Sequence, residues 1–411
     1  MPEPIRILCI NPGSTSTKVA VYEDTREILR CSIEHGAEEL AFYPNVADQY
    51  EMRRRAVLDT LAAAGIAPDT LDAIAARGAA LPQPVEGGAY RINRAMVEIL
   101  RHRPVIEHAS NVAAPIADEL ARDLGIPAYI YDSVSADERD PMARLSGLVE
   151  LPRTSLSHVL NMRAKAFEAA DRLGRPYREL TLIVTHLGGG ISSSLHRGGR
   201  MIDNASEDEG PFSPERAGRV PRRWLIDLCF SGTYDHPTLR RMLYGRGGLV
   251  AYLGTASAIE VERRIAAGDG WAEEVYRAMA MQIAKSIGEL ATVVAGRVDA
   301  VVLTGGIANS TLLTGWIAER VSFLAPVLVL PGENELRSLA LGILRVVRGE
   351  EVAHDYCPPS WGRIDGPPIS TEPLPGSLAA EPWRAPPEAF GVVATPGSGD
   401  PAVEAPAVVL S

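Results

Sequence analysis

The sequence predicts an α/β protein in which one domain is built twice, with a cleft between the copies. Two stretches carry that expectation. Residues 182–218 open with an apolar, β-branched run (LIVT) suited to a buried strand, continue through Gly188, Gly189 and Gly190, and resume as a second short strand rich in serine. Near the N-terminus an apolar strand (residues 5–10, IRILCI) enters the polar turn NPGSTSTK and leaves as VAVY. Both read as hairpins whose turns suit phosphate oxygens. Glycine lets backbone N–H groups come close to an anion, hydroxyls add donors, and Lys18 adds a point charge. Asn11 can reach a metal or its water shell. Singly, each hairpin also fits an ordinary tight turn followed by a solvated loop. Repetition argues otherwise: Asn11 and His186, 175 residues apart, each follow the first strand of such a unit.

The elements between follow the α/β pattern. Residues 27–33 suit a third strand, and 53–65 a helix ended by Gly65. Residues 71–76 form a strand that delivers Arg77, and 126–130 one that delivers Asp132. Ligands of open α/β sheets bind at that end of the strands. Residues 82–90 read as loop. A helix follows within 105–124, with Ser110 or Asn111 as its N-cap and His108 as a cap or core histidine. Residues 154–173 read as a helix joining the halves, with His158, Asn161 and Lys165 on one face. Past the acidic run Glu207, Asp208 and Glu209, Arg216 sits in a loop bounded by proline and glycine. Residues 221–254 form a helix-and-turn insertion interrupted at 245–248, and 271–296 a long helix with an apolar stripe. Residues 298–303 lead through Gly305, Gly306 and Asn309 into a helix, a unit that lets a purine and ribose lie against bare backbone. A last strand at 326–330 meets Glu333 and Glu335 and a final helix running to about residue 348.

Composition narrows the class. A chain of 411 residues is long enough for two cores, and no apolar run approaches a membrane span. Nothing at the N-terminus resembles a targeting segment, so a cytoplasmic protein without a membrane partner is expected. The net charge of −11 argues against nucleic acid. Cys9, Cys31, Cys229 and Cys357 have no metal-ligand spacing and read as reduced thiols, two or three of them in the core. Only three of 41 basic residues are lysines, which makes Lys18 in a polar turn more notable. The last 57 residues hold twelve of the 31 prolines and read as a disordered tail.

The motifs NPGSTSTK, THLGGGIS, DEGPFSPERAG and LTGGIANS stand in the order and spacing of butyrate kinases, and residues 5–350 resemble that family. HLGGGIS and EGPFSPER resemble the butyrate branch rather than the acetate kinases. The resemblance implies a duplicated actin-like ATPase fold of two ribonuclease H-like domains with an interdomain cleft. Its expected divisions are 1–165, 166–335, a terminal helix at 336–354 returning toward the first domain, and a tail at 355–411. It implies reversible phosphoryl transfer between ATP and butanoate, or a branched relative, with Mg²⁺. The alternatives are acetate or propionate kinase and, in another class, a non-catalytic nucleotide-binding regulator. By motif position, Arg77, Asp132 and Arg216 are the catalytic candidates. Asn11, Ser14, Ser16, Lys18, His186, Gly188 and Gly190 are candidates for phosphate, and Gly305, Gly306 and Asn309 for adenosine. Asn11 and either Glu335 or Glu333 are implied for the metal. Acetate kinases carry two histidines four apart near His158. Here Thr154 takes the upstream place, which leaves two readings for His158, a transition-state role and packing. A homo-oligomer is expected by analogy.

Overall fold

The computed structural model describes residues 3–82 and 85–358, with two short strands, Gly391–Val392 and Val408–Val409, that pair with each other. The expectation of a disordered tail at 355–411 falls almost wholly outside the described residues.

Two mixed sheets organise the chain. The first contains β1 (Arg6–Pro12), β2 (Ser16–Glu23), β3 (Arg26–Glu34), β4 (Ala73–Arg77), β5 (Ala89–Arg91), β6 (Ala128–Tyr131) and β12 (His354–Asp355), in the order β12-β5-β6-β4-β1-β2-β3. The second contains β7 (Thr181–Leu187), β8 (Ile191–Arg197), β9 (Arg200–Ala205), β10 (Ala300–Gly305) and β11 (Val327–Pro331), in the order β11-β10-β7-β8-β9. Each sheet begins with a three-stranded antiparallel meander, and two parallel strands then add beside the first strand of that meander. β3-β2-β1-β4-β6 and β9-β8-β7-β10-β11 are therefore the same topology used twice. The fold is a duplicated, actin-like α/β fold.

Helices cover the sheet faces. α1 (Ala37–Leu40), α2 (Tyr50–Ala63), α3 (Arg94–His102) and α4 (Ala113–Leu124) belong to the first half, and α5 (Val159–Leu173) leads into the second. The insertion holds α6 (Arg222–Phe230), α7 (His236–Leu243) and α8 (Gly248–Leu253). α9 (Ala258–Ala266), α10 (Gly270–Val293), α11 (Thr311–Val321) and α12 (Glu335–Val347) complete the set. Met279, Ile283, Ile287 and Leu290 of α10 pack with Leu187, Leu195 and Leu303 of the second sheet. On that sheet's other face Met162, Ala166 and Ala169 of α5 meet Leu182, Val184 and Val302. α12 crosses to the first sheet, where Leu336, Leu339 and Ile343 pack with Ile7, Cys9 and Tyr131.

Several local expectations change. α5 starts at Val159 rather than 154, because Arg139 draws the carbonyls of Arg153 and Thr154 (both 3.1 Å) away from helical bonding. His108, not Ser110 or Asn111, caps the turn before α4. Its Nδ1 accepts from Ser110 N at 3.2 Å. Of the cysteines only Cys9 is buried; Cys31 is half-buried, and Cys229 and Cys357 are exposed. No helix among the described residues is long and apolar enough to cross a membrane.

Candidate active site between the two hairpins

The β1–β2 register pairs Asn11 with Lys18 and Pro12 with Thr17, and Gly13 N closes the turn on Ser16 O at 2.7 Å. Ser14 and Lys18 face solvent, whereas Asn11 is 6% exposed. Its amide donates to Glu335 Oε2 at 2.6 Å, and Glu335 Oε1 lies 3.2 Å from Arg77 Nη2. Residues from a hairpin, a strand end and the start of α12, 324 positions apart at the extremes, thus meet at one carboxylate. Arg77 Nη1 is buried without a hydrogen-bond partner, a guanidinium donor left for a ligand.

The β7–β8 hairpin is built differently. Its register pairs His186 with Ser192, and Gly188 N closes on Gly190 O at 3.1 Å. Two of the three glycines are buried under side chains. A Cβ at Gly188 would come within 2.8 Å of His186 Nε2, and one at Gly190 within 2.5 Å of Glu207 Oε1. Gly189 O accepts from Ser213 Oγ at 2.5 Å and from Glu215 N at 3.2 Å, which ties the Arg216 loop to the turn. That loop closes against α8, where a Cβ at Gly248 would meet Ser213 O at 1.6 Å. Arg216 Nε then lies 3.0 Å from Glu207 Oε2.

Two histidines fill the space between. The rings of His158 and His186 stack at 3.8 Å with 12° between planes. Asn161 Nδ2 donates to His186 Nδ1 at 2.8 Å, which places the ring proton on Nε2, 3.2 Å from Glu333 Oε1. That N–H holds the Glu333 carboxyl below the usual range. His158 Nδ1 meets Ser192 Oγ at 2.9 Å, and its Nε2 lies 3.7 Å from Glu207. Burial, and then its His186 neighbour, pushes His158 down to about 3, and both Arg77 and Arg216 add to that push. Contacts run from one guanidinium to the other: Arg77 Nη2 to Glu335, Glu333 on the same segment to His186, His186 stacked on His158, and His158 at 3.7 Å from Glu207, which holds Arg216. The segment with Glu333 and Glu335 thus touches both hairpins, Asn11 in the first and His186 in the second.

Residues 161–325 match the model of the acetokinase family. Over most of its length the chain resembles solved kinases. An acetate kinase of Porphyromonas gingivalis superposes with a TM-score of 0.70 at 16% identity, covering 84% of this chain and 100% of that one. A propionate kinase of Francisella tularensis subsp. tularensis gives 0.65 at 18%, covering 82% and 98%. An acetate kinase of Entamoeba histolytica gives 0.67 at 15%, again over 82% and 98%. This is the acetate kinase fold.

Gly305, at φ 90°, abuts the second hairpin so closely that a Cβ would stand 2.4 Å from Leu187 O. Gly306 and Asn309 are exposed beyond it, and Asn309 Nδ2 closes its own turn on Gly306 O at 2.9 Å. Asp132 follows β6 with φ 45°, a strained conformation, and is 1% exposed. Its Oδ1 accepts from Gly88 N at 2.8 Å and lies 3.0 Å from Arg163 Nε. The arginine it holds is thus Arg163 of α5. Burial raises its pKa to about 6 against the pull of that guanidinium.

A magnesium ion bound mainly through nucleotide phosphates and water needs only one or two protein oxygens. The donor set suits that. No cluster of three or more His, Cys, Asp or Glu residues exists among the described residues, but Asn11 and Glu335 meet beside the first hairpin. Glu333 is committed to His186 instead. Glu207, Asn161 and Arg163 were missed as site residues. Glu207 stood in an acidic run indistinguishable from a solvated one, and the other two show their purpose only when α5 packs beneath the second hairpin.

Proposed function

We propose that the protein is a carboxylate kinase, transferring a phosphoryl group between ATP and a short-chain fatty acid, with butanoate as the preferred substrate class. The observation that carries this reading is the chain of contacts that joins Arg77, Arg216 and both hairpins through Glu335, Glu333, His186, His158 and Glu207. A carboxylate substrate is already ionised at neutral pH, so attack on the γ-phosphorus needs no general base. One carboxylate oxygen forms the new P–O bond as the bond to the β-phosphate oxygen breaks, giving an acyl phosphate and ADP. The difficulty is bringing one anion to another, and catalysis becomes positioning plus charge stabilisation.

Each residue answers that demand. Lys18, Ser14, Ser16 and the turn amides of the first hairpin hold phosphate oxygens, with His186, Gly188 and Gly190 presenting the second hairpin to the phosphate chain. Arg77, with its free Nη1, takes the carboxylate or the transferring group, and Arg216 approaches the same centre from the opposite half. Asp132 fixes Arg163 at the base of the cleft. Asn11 and Glu335 would hold the metal, which supplies charge neutralisation on the phosphates. Gly305, Gly306 and Asn309 form the bare ledge for adenosine, and His158, held neutral, acts in packing.

Butanoate rests on the HLGGGIS and EGPFSPER motifs. The likeness to acetate and propionate kinases supports the shorter acids as a second reading. Hydroxylamine capture of acyl phosphate, with ATP and unbranched acids of two to five carbons plus isobutanoate, tests both. The expected result is a maximum in kcat/KM at four carbons. A maximum at two or three carbons moves the assignment to the second reading, and no hydroxamate from any acid removes the kinase proposal.

A further inference from the structure

Among the described residues three arginines are buried, and one differs from the others. Arg139 pairs with Asp137 at 2.9 Å, and Arg163 pairs with Asp132 and Glu138 at 3.0 and 2.8 Å. Arg53 of α2 is fully buried, yet no carboxylate lies within ion-pair distance of it among the described residues. Its partners are neutral oxygens: Ser16 O and Thr17 Oγ1 at 2.9 Å, Ser14 O at 3.4 Å and Gln49 Oε1 at 3.0 Å. Three of the four belong to the turn of the first hairpin. The nearest acid in the chain of contacts is Glu39, reached only through Thr17 and His35.

A buried charge without a counter-ion is costly, and an apolar residue of similar length would fill the site without that cost. We propose that Arg53 is a positioning residue for phosphate. Its guanidinium gathers the turn's carbonyls on the inner side, leaving the amides, Ser14 and Lys18 on the outer side. Its uncompensated charge adds to the field at the anion. The guanidinium stands directly behind the turn, bonded to Ser14 O, Ser16 O and Thr17 Oγ1. In a low-dielectric setting a full charge behind the turn acts on a polyanion far more strongly than on a neutral ligand. The inference rests on the phosphotransferase reading above and names the residue that preorganises one of its cradles.

Titration calorimetry with ATP and with adenosine, on wild type, Arg53→Met and Arg53→Lys, tests it. For Arg53→Met the expected result is ATP binding weakened about tenfold or more with adenosine binding nearly unchanged. In the acyl-hydroxamate assay KM for ATP rises and KM for the acid stays close to wild type. Arg53→Lys, which keeps the charge but loses the fork, falls between. ATP affinity in Arg53→Met equal to wild type, or adenosine affinity lost in proportion to ATP, overturns the inference. If Arg53→Met does not fold, Arg53→Lys decides, and an unchanged ATP-to-adenosine ratio overturns it. Wild-type protein that binds no ATP overturns the kinase reading as well. ATP binding in wild type without discrimination in the variants overturns this inference alone.

Discussion

The two hairpins share a backbone plan and differ in what lies beneath and around them. Under β1–β2 is a buried guanidinium, and Lys18 projects from the strand beside it. Under β7–β8 are imidazoles: His186 and His158 stacked at the turn, and His196 further along β8, fully buried between Tyr177 and Ser194. Around the second turn stand carboxylates, with Glu207 pressed on Gly190 and Glu215 on Gly189. One copy of the fold presents fixed positive charge, and the other presents imidazoles and acids with Arg216 among them. Duplication thus preserves the backbone plan of the turn, while side chains decide what each copy contributes. A single polyanion spanning both would meet an attractive cradle at one end and an adjustable one at the other.

The largest effect expected from breaking this arrangement concerns the two guanidiniums that bracket the gap. Arg216→Ala should lower kcat by about 10²–10³, the size seen when one preorganised charge-stabilising donor is removed. Arg77→Ala should cost a similar factor, and the double variant less than the product of the two, because both act on one transferring group. Steady-state hydroxamate assays on the three proteins decide it. An Arg216→Ala enzyme with near wild-type kcat would show that the second copy only binds.

A smaller effect sharpens the contrast between neighbouring acids. Glu335 reaches the first hairpin through Asn11, and Glu333 reaches the second through His186. Glu335→Gln should raise the magnesium concentration for half-maximal rate about tenfold, whereas Glu333→Gln should leave it nearly unchanged. The reverse result would transfer the metal to the second hairpin.

Much of this was legible in the chain because strong local chemistry marked it. The Gly188–Gly190 turn announced itself through glycine, and α10 through an apolar stripe whose members all reach the core. The strand ends at Arg77 and Asp132 followed from where apolar runs stopped. Other parts were hidden for physical reasons. β9 (RMIDNA) looks like polar loop, yet its buried Asp203 meets Arg153 at 3.0 Å and Met201 N donates to Glu138. α3 carries an apolar stripe behind its Asn93 cap, but the stripe spans only nine residues. Arg53 lies in a helix whose other arginines, half-buried Arg54 and exposed Arg55, are both paired with acids. Nothing in RRR distinguishes the one turned inward. Burial against the turn of a distant hairpin is a tertiary fact, and so is the stacking of His158 on His186.

The smallest effect separates the two copies by pH. Arg53 keeps its proton throughout the accessible range. His35 beside it, 2.8 Å from Thr17 Oγ1, is held below the usual range by burial but has Glu39 at 3.4 Å to offset that. His196, between Tyr177 and Ser194, carries the larger shift. Burial pushes its pKa from 6.5 down to about 3, so it is neutral in the folded protein across the range where the unfolded chain takes up a proton. Between these two values the unfolded state binds more protons than the native state. Stability from this group is therefore complete above pH 6.5 and declines as pH falls toward 3. Lowering pH from 8 to 5 should cost about 2 kcal/mol through His196. His196→Gln, which offers amide hydrogen bonds to Tyr177 and Ser194 but cannot titrate, should remove that part of the slope. Urea unfolding of both proteins at pH 8, 7, 6 and 5 gives the comparison, and parallel slopes would show that His196 is protonated in the fold or does not govern the transition. Amide exchange locates the effect: β7–β8 protection in wild type should weaken as pH falls toward 5, and His196→Gln should remove that weakening.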